Sequence, residues 1–386
     1  MQLGDFRKLI PGIDDCSYFQ TSGFSPKPQP VLEEVIASLH LQSRGPAIDE
    51  IHEAMQRRSE AVRSRLAQLI QADPDEIMLN ENATIGINIV AQGISWRAGD
   101  NLILSNHEHP GNRIPWYQLK TQGLELRFLE AHNDAEQMLE DFAHLLDRRT
   151  RLVSISHVSR RSGLRFPVNR LIEQARQKGI PVLLDGAQAV GAIPVDVKVL
   201  NCDFYTLSGH KYLMGPQATG ALYVRQDRIA WLKPSWLGSH SQEIMDMIGN
   251  MKLHDSARRF EFGTRNLADQ AGLGKALELW QSIGWDKVFA YLAAYTHTLK
   301  IALQDIPGLI LETPLAYSQS SGIVSFHLPN FKAAGIQKSL WDRERVLVST
   351  LEGNDHSIRV SAHVFNTDED RERLLAGLGR IQARGC

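Results

Sequence analysis

An α/β fold is predicted, with a mostly parallel sheet flanked by helices and a smaller α+β domain after it. Three observations predict it. Short apolar runs alternate with amphipathic stretches from about residue 76 to residue 225. One run, Leu183-Leu184-Asp185, reads as a buried strand that ends in a carboxylate. After about Gly272 the pattern changes to long helical stretches with a few strands between them. Strand–helix alternation sustained over such a length builds a parallel sheet covered on both faces.

Taken in order, the strand candidates are 76–79, 101–105, 124–129, 151–156, 181–185, 203–207 and 220–224, with helix-like segments at 83–91, 135–146 and 168–178. Beyond Gly272, 273–283 and 285–303 read as helices, 322–328 as a strand and 337–345 as a helix. Segments 346–349 and 357–361 read as strands, and 368–384 as a charged closing helix. The expected division is an N-terminal segment near the cleft (1–25), a large domain (26–270) and a small C-terminal domain (271–386). Ligands of such sheets bind at the carboxyl ends of strands. Asp185, His109 and Lys211 all fall at or just past such ends, so one cleft is expected to hold all three.

Composition narrows the partners. With 386 residues, 43% hydrophobic and 22% charged, the chain is an ordinary globular protein large enough for two domains. A formal charge of -2 offers no footprint for nucleic acid or an anionic membrane. No apolar run approaches a membrane span, and the start, Met1-Gln2-Leu3-Gly4-Asp5-Phe6-Arg7, lacks the apolar core of a secretory signal. Cys16, Cys202 and Cys386 are few and far apart, and read as reduced thiols of a cytoplasmic protein. No metal site is expected: His107 and His109 have no cysteine or carboxylate cluster at ligand spacing.

The chemistry-bearing residues converge on one cofactor. Lys211 closes Ser208-Gly209-His210-Lys211, after a strand candidate. Pyridoxal phosphate needs a lysine amine for its aldehyde, an anion for its ring nitrogen and donors for its phosphate. Lys211 supplies the amine, and once freed acts as general base at the substrate α-carbon. Asp185 is the anion, and Gln188, three residues on, reaches the ring hydroxyl. His109 is placed to stack on the ring. Ala83 and Thr84 open a helix, whose N-terminal amides and hydroxyl suit a phosphate; Ser208 and His210 add donors. Arg359 is a candidate for gripping a substrate carboxylate in a bidentate way. Gln20 lies in the segment expected to shape the substrate pocket.

With these residues in place the chain resembles the class V aminotransferase group of fold-type I pyridoxal phosphate enzymes, which includes the cysteine desulfurases. Ser208-Gly209-His210-Lys211 is similar to the family's lysine motif, and Asp185-Gly186-Ala187-Gln188 matches its Asp-Gly-Ala-Gln. Glu108-His109, Asn112 and Pro115-Trp116 resemble the stacking-histidine segment of group II desulfurases. Phe260-Glu261-Phe262-Gly263-Thr264 looks like the segment whose threonine crosses a dimer interface to the neighbour's phosphate, which implies a homodimer with shared active sites. Arg359, with Asn366-Thr367 downstream, looks like the carboxylate-binding arginine.

The departures narrow the reaction. Desulfurases carry a catalytic cysteine on a mobile loop shortly before that arginine. Here the region reads Ser349-Thr350-Leu351-Glu352-Gly353-Asn354-Asp355-His356, and Cys16 is left as a weak substitute. The expected function is β-elimination (a C–S lyase) on cystine or another cysteine-derived S-conjugate, giving pyruvate, ammonia and a thiol or persulfide. His109-Pro110-Gly111, Arg259-Phe260-Glu261 and Tyr18-Phe19 resemble the family's cysteine/cystine C–S lyases. A second departure is Arg160, where desulfurases usually have asparagine; Arg160 or Arg161 is expected to reach the distal part of the substrate. Desulfurase-like sulfur transfer, epimerisation of the isopenicillin N type and transamination stay open on the same fold. So does a non-catalytic binding protein.

Overall fold

The computed structural model describes residues 2–384. Strand β1 (Ser17–Tyr18) is followed by two long helices, α1 (Gln29–Ser43) and α2 (Asp49–Leu69). The alternating region runs β2 (Ile77–Asn80), α3 (Ala83–Gly93), β3 (Asn101–Ser105), α4 (Ile114–Leu119), β4 (Glu125–Leu129) and α5 (Ala135–Leu145). It continues β5 (Thr150–Ser156), α6 (Val168–Gln177), β6 (Val182–Asp185), α7 (Val197–Leu200), β7 (Phe204–Ser208), β8 (Gly220–Val224) and α8 (Gln226–Ile229). A hairpin, β9 (Gln242–Met245) and β10 (Met251–Leu253), precedes helices α9 (Leu267–Ile283) and α10 (Trp285–Gln304). The chain closes with β11 (Ile310–Leu311), β12 (Ile323–His327), α11 (Ala333–Glu344), β13 (Val346–Leu347), β14 (Ser349–Leu351), β15 (Asn354–Ser361) and α12 (Asp368–Arg384).

The seven strands expected between residues 76 and 225 form one seven-stranded sheet, in the order β2-β8-β7-β6-β5-β3-β4. Only β8 runs against the rest, pairing antiparallel with both β2 and β7. The carboxyl ends of β2, β3, β5, β6 and β7 therefore share one edge. Residues of one strand alternate between two cores: Leu102 and Leu104 pack on one face and Ile103 on the other, as do Leu183 and Leu184. This two-sided burial is why the strands read as continuous apolar runs. The edge strand β4 is instead only partly buried and carries Glu125 and Arg127, which discourages pairing with another sheet.

A second sheet, β11-β12-β15-β14, is antiparallel. Its core joins Phe19 from the N-terminal segment to Leu299 of α10, Leu340 of α11 and Leu374 of α12. Segment 346–349, expected as one strand, is two. The chain pairs with β1 through Val346 and Leu347, then with β15 from Ser349. At the break the Val348 carbonyl accepts from the side chains of Gln20 (3.2 Å) and Gln337 (2.8 Å) instead of from a strand neighbour. Ser357 to Ser361 of β15 is the expected strand extended backwards to Asn354. The tip residue Glu352 and the left-handed Gly353 (φ 71°) make the turn that joins it to β14.

Candidate active site

Each loop that leaves the shared sheet edge delivers one chemical group. At the end of β6, Asp185 is buried, and its Oδ1 accepts from the Ala187 amide at 3.0 Å. The turn after it requires glycine, because a Cβ on Gly186 would lie 2.0 Å from the Tyr205 ring. Tyr205 is fixed in turn by its hydroxyl, 3.0 Å from His157 Nδ1. Burial raises the Asp185 carboxyl pKa above the usual value; Lys211 opposes that shift.

Lys211 follows β7. Its carbonyl accepts from Ser25 Oγ at 2.5 Å and from the Met214 amide at 2.9 Å, so the backbone under the amine is clamped from both sides. Burial lowers the ammonium to about 8; Asp185 opposes the shift, and Arg359 and Arg160 add to it. An amine attacks an aldehyde only when neutral, and its neutral fraction falls about tenfold per pH unit below the pKa. In the cofactor-free protein, borohydride trapping of a small aldehyde on Lys211 is therefore expected to accelerate with pH up to about 8 and then level. Peptide mass spectrometry reads the trapped fraction. A rate still climbing near the ordinary lysine value of about 10.4 would refute the effect of burial.

Beyond β3, His109 is held by a buried carboxylate network. Glu108 accepts from Ser105 Oγ, from the Ser156 amide (2.9 Å) and hydroxyl (2.6 Å), and from Asn112 Nδ2 (2.7 Å). Asn112 Oδ1 accepts from Trp116 Nε1 at 2.9 Å and from Ser154 Oγ at 2.7 Å. These bonds tie the loop after β3 to β5. The Gly111 amide donates to His109 Nδ1 at 2.9 Å, which leaves the ring proton on Nε2. Burial, with Lys211, Arg160 and Arg359 nearby, pushes His109 down to about 3, so the ring is neutral. A neutral imidazole suits stacking on an aromatic ring.

After β2, Asn82 caps α3 by accepting from the Ile85 amide at 3.1 Å. The Ala83 amide donates to Ser208 Oγ at 3.1 Å, which brings the start of α3 to the end of β7. Arg359 comes from β15: Nη1 donates to the Arg160 carbonyl and Nη2 to Ser349 Oγ, both at 3.0 Å.

One cavity of about 750 Å³ collects these groups. It is lined by Ala83, Thr84, His109, Arg160, Asp185, Gln188, Ser208, His210, Lys211 and Arg359, ten of the residues singled out from sequence. Gln20 is set behind the wall: its Nε2 donates to Val348 and its Oε1 accepts from Ser349 Oγ at 2.5 Å, so it braces the serine that holds Arg359. Thr264 lines a different cavity of about 440 Å³, beside Arg265 and Glu261. Cys16 and Cys202 line neither, and Cys386 lies outside the described residues. Sequence reasoning missed Thr350 and Glu352, which enter the Lys211 cavity from the β14–β15 hairpin. Gly353 between polar residues was the available turn signal.

The lining fits a phosphorylated aromatic ring. Gln188 Nε2 donates to the Ser22 carbonyl at 2.9 Å, while Gln188 Oε1 is buried without a partner, as are His210 Nδ1 and Arg359 Nε. Unpaired buried polar atoms cost about 1–3 kcal/mol each, and a ligand bearing a hydroxyl, a phosphate and a carboxylate would relieve them. Among the described residues no cluster of histidine, cysteine or carboxylate could hold a metal ion, and no helix is long and apolar enough to cross a membrane.

Comparison with known proteins agrees. The Aminotransferase class-V family model matches residues 17–374. A cysteine desulfurase of Salmonella agona (strain SL483) is 37% identical over 345 aligned residues, covering 83% of this chain and 82% of that protein. The solved complex of the cystine C-S lyase C-DES with its product cysteine persulfide superposes with a TM-score of 0.87 at 28% identity, covering 96% of this chain and 99% of that one. The apo cysteine desulfurase of Thermococcus onnurineus NA1 gives a TM-score of 0.89 at 26% identity, covering 98% and 97%.

Proposed function

Because this chain belongs to the class-V aminotransferase family, we propose that it is a pyridoxal phosphate enzyme that eliminates the sulfur substituent of cystine or another cysteine-derived S-conjugate. Elimination leaves pyruvate, ammonia and a persulfide or thiol. The cofactor, when bound, supplies an aldehyde for amines and a ring that accepts electrons from the α-carbon.

The chain's own groups then have distinct tasks. Lys211 would hold the cofactor through its aldehyde, and its Nζ would take the α-proton of the substrate. Asp185 places a buried anion for the ring nitrogen. Gln188 Oε1, buried without a partner, would take the ring hydroxyl, and His109 would cover the ring. Ala83, Thr84, Ser208 and His210, which line the cavity, would hold the phosphate, and Thr264 of a second copy would complete its site. Arg359 orients the substrate carboxylate through its free Nε, steadied by Ser349 and Gln20.

One observation carries elimination over sulfur transfer. The hairpin facing Lys211 presents Thr350 and Glu352, and neither described cysteine lines the cavity. Taking sulfur as an enzyme persulfide requires a thiolate within reach of the substrate. Burial instead raises the Cys16 thiol above its usual range, away from that cavity. The 37% identity to a cysteine desulfurase favours sulfur transfer, so the test includes both products. Holoenzyme with L-cystine is expected to release pyruvate and no alanine. Alanine from L-cysteine as the main product would overturn elimination.

The homodimer is part of the same reading. Thr264 and Arg265 lie away from the Lys211 cavity, and exposed Met247, Ile248, Trp236 and Leu237 offer an apolar face nearby in sequence. Light scattering should give twice the chain mass. The unpaired thiols of Cys16 and Cys202 suit a reducing cytoplasm.

A further inference from the structure

Past Arg160 the Lys211 cavity meets a second chamber of about 410 Å³, and Arg160 and Glu352 line both. Its other charged or titratable walls are Arg113, Arg161, His107 and Glu108. Glu108 is already bonded to Ser105, Ser156 and Asn112. Burial, with Arg161 and Arg113, holds His107 down at about 4, so it adds no charge near neutral pH. Three guanidiniums are left facing one available carboxylate, Glu352.

Those guanidiniums are only partly satisfied. Arg113 Nη2 donates to the Asn106 carbonyl at 2.7 Å, while its Nε is buried without a partner. Arg160 Nη2 reaches Glu352 Oε2 at 3.5 Å, a long contact. Arg161 Nη1 reaches the Glu352 carbonyl at 3.2 Å. The Glu352 side chain stands at the hairpin tip and is 72% exposed, so water competes for it. It is the removable anion of an otherwise cationic chamber.

We propose that this chamber selects the departing half of the substrate by charge: it takes cysteine S-conjugates whose sulfur substituent carries an anion and no ammonium. Glu352 holds the place until the substrate anion displaces it. The inference rests on the elimination reading for the identity of the cysteine half. Cystine brings an ammonium with its distal carboxylate and fits less well than a conjugate with a distal carboxylate alone. For a mixed disulfide R–S–S–CH2–CH(NH3+)–COO−, the α C–H and β C–S bonds break. The proton passes to Lys211, the C–S electron pair leaves with sulfur as R–S–S−, and water replaces the amine. The products are pyruvate, ammonium and the persulfide, with no oxidant or reductant required.

Binding and turnover are tested separately. S-substituted α-methyl-L-cysteines bearing carboxymethyl, 2-hydroxyethyl or 2-aminoethyl groups match in length and have no α-hydrogen to lose. Calorimetric titration of the holoenzyme is expected to rank them carboxylate, hydroxyl, ammonium, with about tenfold between neighbours. Arg160→Gln with Arg161→Gln should compress the whole span to about threefold or less. Glu352→Gln should widen the preference for the carboxylate, an effect opposite to that of a lost structural contact. Equal affinities across the series, or a Glu352→Gln variant that weakens carboxylate binding, would overturn the proposal. Pyruvate is measured in parallel from the mixed disulfide of L-cysteine with 3-mercaptopropionate. The expected ranking without pyruvate keeps the chamber and removes elimination; pyruvate with a flat ranking does the reverse.

Discussion

Lys211→Ala is expected to lower pyruvate release from L-cystine by about 10³–10⁴-fold, because it removes the proposed general base and covalent anchor together. Among the described residues no other amine lines the cavity to take over; its remaining cations are Arg160 and Arg359. The visible absorbance of the lysine-bound cofactor should vanish with it. The substitution also removes a buried amine whose charging burial opposes, so the fold should tolerate it. Turnover within tenfold of the parent, measured on protein shown by mass to be fully converted, would exclude Lys211 as the base.

Asp185→Asn should cost turnover about 10²–10³-fold, as expected when one preorganised charge is removed from a buried site. The amide keeps the shape and a hydrogen-bonding oxygen but no charge. Asp185 also opposes the depression of the Lys211 ammonium, so its removal should move that group further below about 8. Stability should respond with the opposite sign. In the cofactor-free chain the Asp185 carboxyl lies above its unfolded value because it is buried. Such a group favours the folded state least once pH exceeds its folded pKa, where the unfolded chain ionises freely. Cofactor-free Asp185→Asn should therefore unfold at equal or higher denaturant than the parent at neutral pH. A variant that is both fully active and destabilised would mean Asp185 is a structural cap.

Most of the sheet was legible because strands buried on both faces leave unbroken apolar runs with abrupt polar ends, and those ends are where Asp185 and Lys211 stand. Helices α1 and α2 were passed over. The stripe Ile51, Met55, Ser59, Val62 and Leu66 has helical spacing, but the polar Ser59 and the buried Arg63 break its apolar character. Arg63 is tolerated there because Glu261 takes its Nη1 at 2.8 Å and the Ile77 carbonyl lies 2.5 Å away, a partnership 198 residues distant for the carboxylate. In α1 the apolar residues Leu32, Ile36 and Leu39 face outward, so one chain alone gives them no burial to read. The hairpin at Glu352 was hidden differently. Its register depends on β15 partners and its place over the cavity on Arg160, both of which are tertiary.

Two segments far apart in sequence are stitched together beside the Lys211 cavity. Ser17 and Tyr18 pair with Val346 and Leu347, Gln20 bridges to Ser361, and the Asn366 side chain donates to the Tyr18 carbonyl at 2.9 Å. A ribosome releases the first of these residues long before the last. Until then the cradle around Lys211 has no Arg359 and no hairpin above it, and the opening segment has no strand to join. The large sheet can form during synthesis, whereas the wall that carries Arg359 waits for residues 346–361. A chain stopped before Ser349 would therefore lack both Arg359 and the hairpin.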